Sequence, residues 1–195
     1  MVERVFKIGM VMVILLTTFV GCQRQDLLNK VKTYVDAANR YDLKAIDAML
    51  TNDVVFEMNG TNIAVGKEQV RTVHDNDAGF NTELELTDCK EKGNTVTCKV
   101  TERNDYVRAA GINEINYTSG VFTFKNGLIQ KISATMSPES ARAGKEFDQG
   151  FIAWVKQNRS EELAKLMTPA GKFKWGRESA VIMVKLVKEY RSNKQ

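Results

Sequence analysis

The residues best suited to proton transfer lie in a short polar segment before the middle of the chain. His74 is the only histidine, and Asp75 and Asp77 follow it closely. Because an imidazole titrates near neutral pH, a histidine beside a carboxylate can act as a general acid or base. These residues also stand at the predicted end of a helix beside Asn76 and Gly79, where polar side chains normally face water. The surface interpretation is favoured over a catalytic pair of His74 and Asp75.

A second group of reactive side chains lies in a predicted β-hairpin that turns at Gly93 and Asn94. Counting outward from this turn pairs Cys89 with Cys98 at a non-hydrogen-bonded position, where Cα atoms are close enough for a disulfide. If the chain is exported, the compartment is oxidising. We therefore predict a structural cross-strand disulfide, because no third or fourth metal ligand is nearby in the sequence.

The same register concentrates negative charge on one face of the hairpin. It places Glu85 opposite Glu102, with Glu83 nearby, and directly opposed like charges destabilise a sheet. Either the three glutamates bind a cation or an amine, or a β-bulge beyond the disulfide shifts the register. The bulge is favoured, because without it Leu84 and Leu86 would lie on the polar face. We expect no cofactor, and the glutamates remain the alternative as a metal site.

These residues must be positioned by helices that come first and strands that follow. Apolar residues recur at helical spacing over 26–40 and 43–50, with Asp42 as a cap, and a third helix is predicted over 67–74. The apolar period then changes to two. We predict strands at 54–58, 82–89, 95–107, 115–125 and 128–136. A hairpin turn at Asn126–Gly127 joins the last two strands. This order of elements indicates an α+β fold.

Five short segments occur in a characteristic order along the first two thirds of the chain. They are YVDAAN at 34–39, DL at 42–43, MLTNDVVF at 49–56, GKEQV at 66–70 and VFTFKNGLI at 121–129. In this order they resemble the nuclear transport factor 2-like superfamily, which includes SnoaL-like polyketide cyclases and steroid isomerases. The resemblance covers roughly 26–137 and implies a curved antiparallel sheet wrapped around N-terminal helices to form a cone with a pocket. Many members are dimers, so a homodimer is an expectation.

The resemblance to the steroid isomerases fails at two of the three groups that their chemistry requires. Those enzymes use a carboxylate base, with a tyrosine and a protonated acid that stabilise an oxyanion. Tyr34 stands at the tyrosine position, but the base position falls on Met58 and the acid position on Gly120. Glu57 is no substitute, because neighbouring strand residues point to opposite faces. Steroid-type isomerisation is therefore not expected.

Two functions stay open for the cone, because members of this superfamily include both enzymes and binding modules. The preferred hypothesis is a non-catalytic module that binds a small ligand or a protein. The alternative is a small-molecule enzyme, of isomerase, dehydratase or hydrolase type, that uses Tyr34 with His74 or Glu102. A deep pocket with converging ionisable groups would favour the enzyme. The side chains expected to line the pocket are Tyr34, Phe56, Met58, Glu102, Tyr106 and Tyr117.

The first 22 residues predict where the protein is located. Arg4 and Lys7 make a basic start, an uncharged apolar run covers 8–20, and Gly21 precedes Cys22. This arrangement is typical of a secretory signal peptide, and its final cysteine resembles the lipidation site of bacterial lipoproteins. A spanning helix needs about 20 apolar residues, more than this run offers. Lipidation of Cys22 is therefore favoured over an uncleaved anchor or a secreted form.

Charge divides the expected mature chain into two parts, a cone domain over 22–137 and a helical extension over 138–195. The first carries 14 basic and 16 acidic side chains, whereas the second carries 12 basic and 7 acidic ones. The extension is either a truncated second repeat of the opening helices or an unrelated set of amphipathic helices. Its last helix, over 177–191, covers the outer face of the sheet or lies on anionic lipid, and the cover is favoured.

The expected partners follow from this location. We expect the membrane, through lipid on Cys22, and an unknown small ligand or protein. The protein would be anchored on the cell membrane or the outer membrane and face the periplasm or the cell exterior. Nucleic acid is not expected, because an exported protein seldom meets it and no aromatic and basic platform occurs.

Replacing Cys22 with serine should stop lipidation and processing together, because the modification needs the cysteine sulfur. We expect Cys22→Ser to accumulate as an unacylated precursor that keeps residues 1–21, as measured by intact mass. Native mature protein that carries no acyl chains in the same measurement would contradict the lipid anchor.

Overall fold

The computed structural model describes residues 26–170 and 173–194 of the 195-residue chain. Cys22 and the predicted signal segment lie outside these residues, so lipidation stays a prediction. Within the described ranges, every helix is too short or too polar to cross a bilayer.

Two capped helices open the described chain. α1 (Leu27–Asn39) follows Asp26 and α2 (Leu43–Met49) follows Asp42, and both aspartates accept a hydrogen bond from a backbone amide in the first turn of their helix. Such caps satisfy amides that have no partner within the helix. The apolar side of α1 includes Val31, which is fully buried. Both helices agree closely with the predicted ones.

The third helix is longer than the sequence pattern predicted. α3 (Lys67–Phe80) continues through the polar segment and ends at Asn81, which takes the left-handed conformation that asparagine tolerates at a helix end. His74 and Asn76 are 9% and 1% exposed. The expectation that the polar side chains of this segment face water is therefore wrong for these two residues, because they point into the domain.

Six strands form one curved sheet with the spatial order β2-β1-β6-β5-β4-β3. The β1–β6 pair is parallel and the other neighbouring pairs are antiparallel. The boundaries of the last two strands agree with the prediction, whereas β1 begins earlier and β2 was not predicted. The strands are β1 (Leu50–Met58), β2 (Thr61–Val65), β3 (Glu83–Lys92), β4 (Thr95–Arg103), β5 (Ile115–Lys125) and β6 (Leu128–Met136).

A short helix ends the predicted long strand after β4. The side chain of Asn104 accepts a hydrogen bond from the amide of Val107 and caps α4 (Asp105–Ala109). Tyr106 therefore lies on a helix. The strand predicted over 95–107 would have included it, so that prediction is wrong beyond Arg103.

A β-bulge interrupts the β3–β4 hairpin beside the predicted disulfide. The pairs nearest the turn are the predicted ones, but the register then shifts so that Asp88 and Cys89 lie opposite Cys98. Asp88 takes the left-handed conformation, with φ of 52°. The sulfurs of Cys89 and Cys98 are bonded, and their Cα atoms lie 4.0 Å apart. Both the bulge and the cross-strand disulfide are confirmed.

The bulge separates the glutamates that an uninterrupted register would oppose. Beyond it, Glu102 lies opposite Leu84. Glu85 points outward, and its carboxylate lies 3.0 Å from the guanidinium of Arg103, while Glu83 is exposed. The alternative metal site of three glutamates is therefore wrong. In the part of the chain that the structure describes, no cluster of three histidine, cysteine or acidic side chains could hold a metal ion.

The C-terminal extension consists of α5 (Pro138–Asn158), α6 (Ser160–Leu166) and α7 (Arg177–Ser192). α7 packs mainly on α3 and α4. Gly79 permits this close approach, since a Cβ there would lie 2.6 Å from the Cβ of Ala180. The prediction that this helix covers the outer face of the sheet is therefore wrong.

Two hydrophobic clusters stabilise the chain. The larger one lies between α1, α2, α3 and the inner face of the sheet, and its buried members fall within 27–132. The smaller one joins the extension to the end of α4, so the extension has a core of its own. Its buried members are Ala110, Phe151, Val155, Leu166, Leu186, Val187 and Tyr190.

Removing the disulfide should weaken the fold without changing its register, because the bulge and the turn remain. We expect Cys89→Ala with Cys98→Ala to lower the free energy of unfolding by roughly 2–3 kcal/mol, measured by urea denaturation of chains that start at Gln23. Reduced wild-type protein is the control and should unfold like the double variant. Equal midpoints for oxidised wild type, reduced wild type and the variant would contradict a stabilising bridge.

Candidate functional site

The helices and the inner face of the sheet enclose a cavity of about 410 Å³. This volume lies within the range of small-molecule sites, about 300–1,000 Å³. Residues of α1, α3 and α4 form one part of the wall, and residues of all strands except β2 form most of the rest. The structure places all six predicted pocket residues in this wall: Tyr34, Phe56, Met58, Glu102, Tyr106 and Tyr117.

The first polar group in the cavity joins α1 to α3. The hydroxyl oxygen of Tyr34 lies 2.5 Å from Nε2 of His74, and Nδ1 of His74 lies 3.4 Å from a carboxylate oxygen of Asp77. This Nδ1 makes no hydrogen bond to any described residue. Its separation from Asp77 is within ion-pair distance but does not amount to a hydrogen bond. Burial raises the pKa of Tyr34, with the charge of Asp77 adding to the rise. The Tyr34 hydroxyl therefore keeps its proton and can donate it in a hydrogen bond.

Asp75, the predicted partner of His74, faces away from the cavity. Its carboxylate accepts a hydrogen bond of 2.9 Å from the backbone amide of Arg177 and lies 3.4 Å from the guanidinium of that residue. With 3.6 residues per helical turn, adjacent residues point in different directions, whereas residues three apart share a face. Asp75, the carboxylate of the less favoured catalytic alternative, therefore does not pair with His74, and the carboxylate within ion-pair distance of the imidazole is that of Asp77.

The second polar group lies on β4 and β5. The Tyr117 hydroxyl donates a hydrogen bond of 2.7 Å to one carboxyl oxygen of Glu102, and the Asn104 amide donates one of 2.6 Å to the other. Burial raises the pKa of Glu102 to about 6, and the charge of Asp77 adds to the rise, while the two hydrogen bonds oppose it. Glu102 can therefore hold or release a proton near neutral pH.

Tyr117 remains protonated beside this carboxyl group. Burial raises its pKa well above the ordinary value, and the charge of Glu102 raises it further. The hydroxyl is thus a fixed donor that orients Glu102. Asp77 raises the pKa of Glu102 and of two of the cavity tyrosines, Tyr34 and Tyr117, so the two polar groups share one electrostatic environment.

The charge of the cavity wall limits what can bind. Asp77, Glu102 and Asp148 contribute carboxyl groups, and His74 is the one imidazole among the lining residues. Neither lysine nor arginine occurs among the described residues of the wall. Because a buried anion needs a cationic partner, the site does not suit a carboxylate or a phosphate ester.

The positions that steroid isomerases use for acid and base are apolar here. Met58 and Gly120 line the cavity, and a Cβ at Gly120 would lie 2.7 Å from a methyl carbon of Val100. Glu57 forms an ion pair of 3.0 Å with Lys131 outside the cavity. The carboxyl group of this site is instead supplied from β4, by Glu102.

Sequence reasoning named Asp77 beside His74 but gave it no separate role, and it missed the polar and aromatic wall residues Asn104, Asp148 and Trp175. The three-residue spacing of His74 and Asp77 is a signal that could have identified that pair. Asn104 could have been found as a helix cap before Val107. Asp148 and Trp175 of the extension also line the cavity, and no local pattern predicts that placement, because it depends on how the extension packs.

Replacing Glu102 with glutamine should remove a pH dependence of stability. Its pKa is raised from 4.5 to about 6, so the folded state binds this proton more tightly than the unfolded chain does. The contribution is fully present below about pH 4.5 and is lost as the pH rises through about 6. Relative to Glu102→Gln, wild type should lose about 2 kcal/mol of unfolding free energy across this window.

Urea denaturation between pH 4 and pH 7.5 measures this difference. Glu83→Gln, on the exposed end of the neighbouring strand, is the matched control and should follow wild type. Parallel pH profiles for wild type and Glu102→Gln would contradict a carboxyl group held inside the cavity.

Comparisons with known proteins agree with this architecture. The sequence pattern of the SnoaL-like domain family matches residues 31–132, and no curated protein matches significantly. A solved structure of the epoxide hydrolase/cyclase-like enzyme SalBIII, from pyran ring formation in salinomycin, is 18% identical, with a TM-score of 0.54 over 60% of this chain and 95% of that one.

Two further structures are similar at lower scores. An NTF2-like protein of unknown function from Cytophaga hutchinsonii is 16% identical, with a TM-score of 0.47 over 57% of this chain and 90% of that one. A protein of unknown function with a cystatin-like fold from Methylobium petroleophilum is 16% identical, with a TM-score of 0.49 over 57% and 76%. Such identities bear on fold alone. Because the family pattern spans slightly more than half of the chain, the protein belongs to the SnoaL-like domain family.

Proposed function

We propose that this protein is an enzyme that transfers protons on a small, mainly apolar molecule held inside the cone. The observation that carries the proposal is the convergence of two acid–base groups on one cavity. Tyr34, His74 and Asp77 form the first group, and Glu102 with Tyr117 forms the second. A binding module has no need of a carboxyl group poised near neutral pH, whereas such perturbed groups cluster at catalytic sites.

Glu102 is the proposed base. A general base works best when its pKa lies near the operating pH, and the pKa of Glu102 is about 6. Tyr117 and Asn104 hold both of its oxygens, so the carboxylate is oriented before a substrate enters. In the proposed step, Glu102 removes a proton from a carbon next to a substrate carbonyl group.

Tyr34 is the proposed donor to the oxygen of that carbonyl group. As the C–H bond breaks, negative charge develops on the oxygen, and a hydrogen bond from Tyr34 stabilises it. His74 Nε2 lies 2.5 Å from the Tyr34 hydroxyl oxygen. When Nε2 carries a proton it donates to that oxygen, which leaves the Tyr34 proton free for the substrate oxygen. Return of the proton to another carbon gives an isomer, whereas transfer of the proton from Glu102 to a β-hydroxyl group, which leaves as water, gives a dehydrated product.

The substrate class follows from the wall of the cavity. Its volume of about 410 Å³ and its many apolar side chains suit a compact molecule with a ring or a branched carbon skeleton. Carboxyl groups without lysine or arginine among the described lining residues disfavour an anionic substrate. We therefore infer an uncharged carbonyl compound.

The location is part of this proposal. The basic start, the apolar run and Cys22 support a lipid-anchored enzyme on the cell membrane or the outer membrane, facing the periplasm or the cell exterior. An uncharged, apolar substrate would be able to reach such a site from the adjoining bilayer or from solution.

Hydrogen–deuterium exchange of 2-tetralone in D₂O tests the chemistry, because this neutral ketone carries exchangeable protons next to its carbonyl group. Wild type should accelerate the exchange, measured by proton NMR, and the rate should rise with pH through about 6 as Glu102 ionises. Glu102→Gln and Tyr34→Phe should each lower the enzymatic rate by about 10²–10⁴-fold.

Glu83→Gln is the control for a carboxyl group outside the cavity and should retain the wild-type rate. Ketone binding without exchange above the buffer rate would contradict the enzyme and favour the non-catalytic binding module.

A further inference from the structure

We propose that the C-terminal extension completes the cavity, and that Trp175 is a specificity-determining residue at its entrance. This inference rests on the proposed use of the cavity as a ligand site, although not on the chemistry performed there. Asp148 of α5 and Trp175 of the segment before α7 line the cavity, whereas the family match ends at residue 132. The domain shared with the family therefore does not form this wall alone.

Trp175 lies where the cavity meets the solvent. Its side chain lines the cavity, yet the residue is 42% exposed. Its ring packs edge-on against Phe173, with centroids 5.6 Å apart. Because a large apolar side chain that is both exposed and in a cavity wall occupies the boundary between them, Trp175 borders the opening through which a ligand passes.

The segment that carries Trp175 is fastened to α3. The amide of Gly176 donates a hydrogen bond of 3.4 Å to the side chain of Asn76, and the amide of Arg177 donates one of 2.9 Å to Asp75. Gly176 has a φ of 125°, which strongly favours glycine. These contacts tie the segment that carries Trp175 to α3, the helix that also carries His74.

A second contact joins the extension to the cavity wall. The Tyr106 hydroxyl donates a hydrogen bond of 2.6 Å to Asp148, and the Tyr106 ring lies 5.5 Å from the ring of Phe80. All three residues line the cavity together with Trp175. Aromatic side chains therefore form much of this wall, and the extension supplies part of it. A flat, uncharged ligand fits such an opening, and Trp175 limits how large it can be.

Binding of a size-graded series of neutral phenols to the full chain tests this limit. Phenol, 2-naphthol and 1-hydroxypyrene at pH 7 are the probes, and equilibrium dialysis measures their dissociation constants. Wild type should bind 2-naphthol and discriminate against 1-hydroxypyrene. Trp175→Ala should bind 1-hydroxypyrene at least about tenfold more tightly than wild type, with a smaller change for phenol, because discrimination by size rests on the fit of the wall.

Trp154→Phe is the matched control, because the Trp154 ring packs at a tilt against Tyr190 with centroids 5.6 Å apart and Trp154 is not a lining residue of the cavity. It should keep the wild-type size profile. The chain has two tryptophans, so this variant also leaves Trp175 as the sole fluorescent reporter. Saturating 2-naphthol should then protect Trp175 from acrylamide quenching, and Asp75→Ala in the same background should increase quenching by loosening the anchor.

An unchanged size profile in Trp175→Ala would overturn the inference, as would a failure of wild type and variant to bind any probe. The quenching experiment tests the inference even if Trp175→Ala does not fold. Acrylamide quenching of Trp175 that changes neither with 2-naphthol nor with Asp75→Ala would overturn the inference. Glu102→Gln separates this inference from the proposed chemistry, because it should lower the rate of ketone exchange by about 10²–10⁴-fold while Trp175 still sets the size limit.

Discussion

The β-bulge beside the disulfide is the constraint on which the site depends. By placing Asp88 and Cys89 opposite Cys98, it lets Leu84 and Leu86 line the cavity and leaves Glu83 and Glu85 exposed. Glu102 is then the one carboxyl group that the β3–β4 hairpin contributes to the cavity wall. Apolar neighbours raise its pKa to about 6, which gives an otherwise ordinary glutamate the properties of a general acid or base.

Local chemistry made much of the fold predictable. Asp26 and Asp42 cap the first helices, and the Asn126–Gly127 turn fixes the last hairpin, so these elements agree with the structure. The strand β2 was not predicted, because it is short and mostly exposed. His74 was misjudged because a polar run resembles a helix end on sequence alone, whereas burial by distant elements decides which of its residues face inward.

The packing of the C-terminal extension was likewise not predictable from local sequence. Periodicity correctly indicated an amphipathic helix near the end of the chain, but it identifies an apolar face and not the element that covers it. The close crossing at Gly79 directs α7 onto α3, which brings Trp175 to the cavity. Six pocket residues could be named from a resemblance to the family, while residues beyond the family match required the packing of the whole chain.

The central claim is that one carboxyl group inside the cone is poised to exchange a proton near neutral pH. Carbon-13 NMR of protein labelled at glutamate side-chain carboxyl groups measures this directly, with Glu102→Gln assigning the resonance. We expect the Glu102 carboxyl group to titrate with a pKa of about 6, and a neutral ketone in the cavity to perturb its resonance. A titration near the ordinary value of 4.5, unaffected by the ketone, would contradict the central claim.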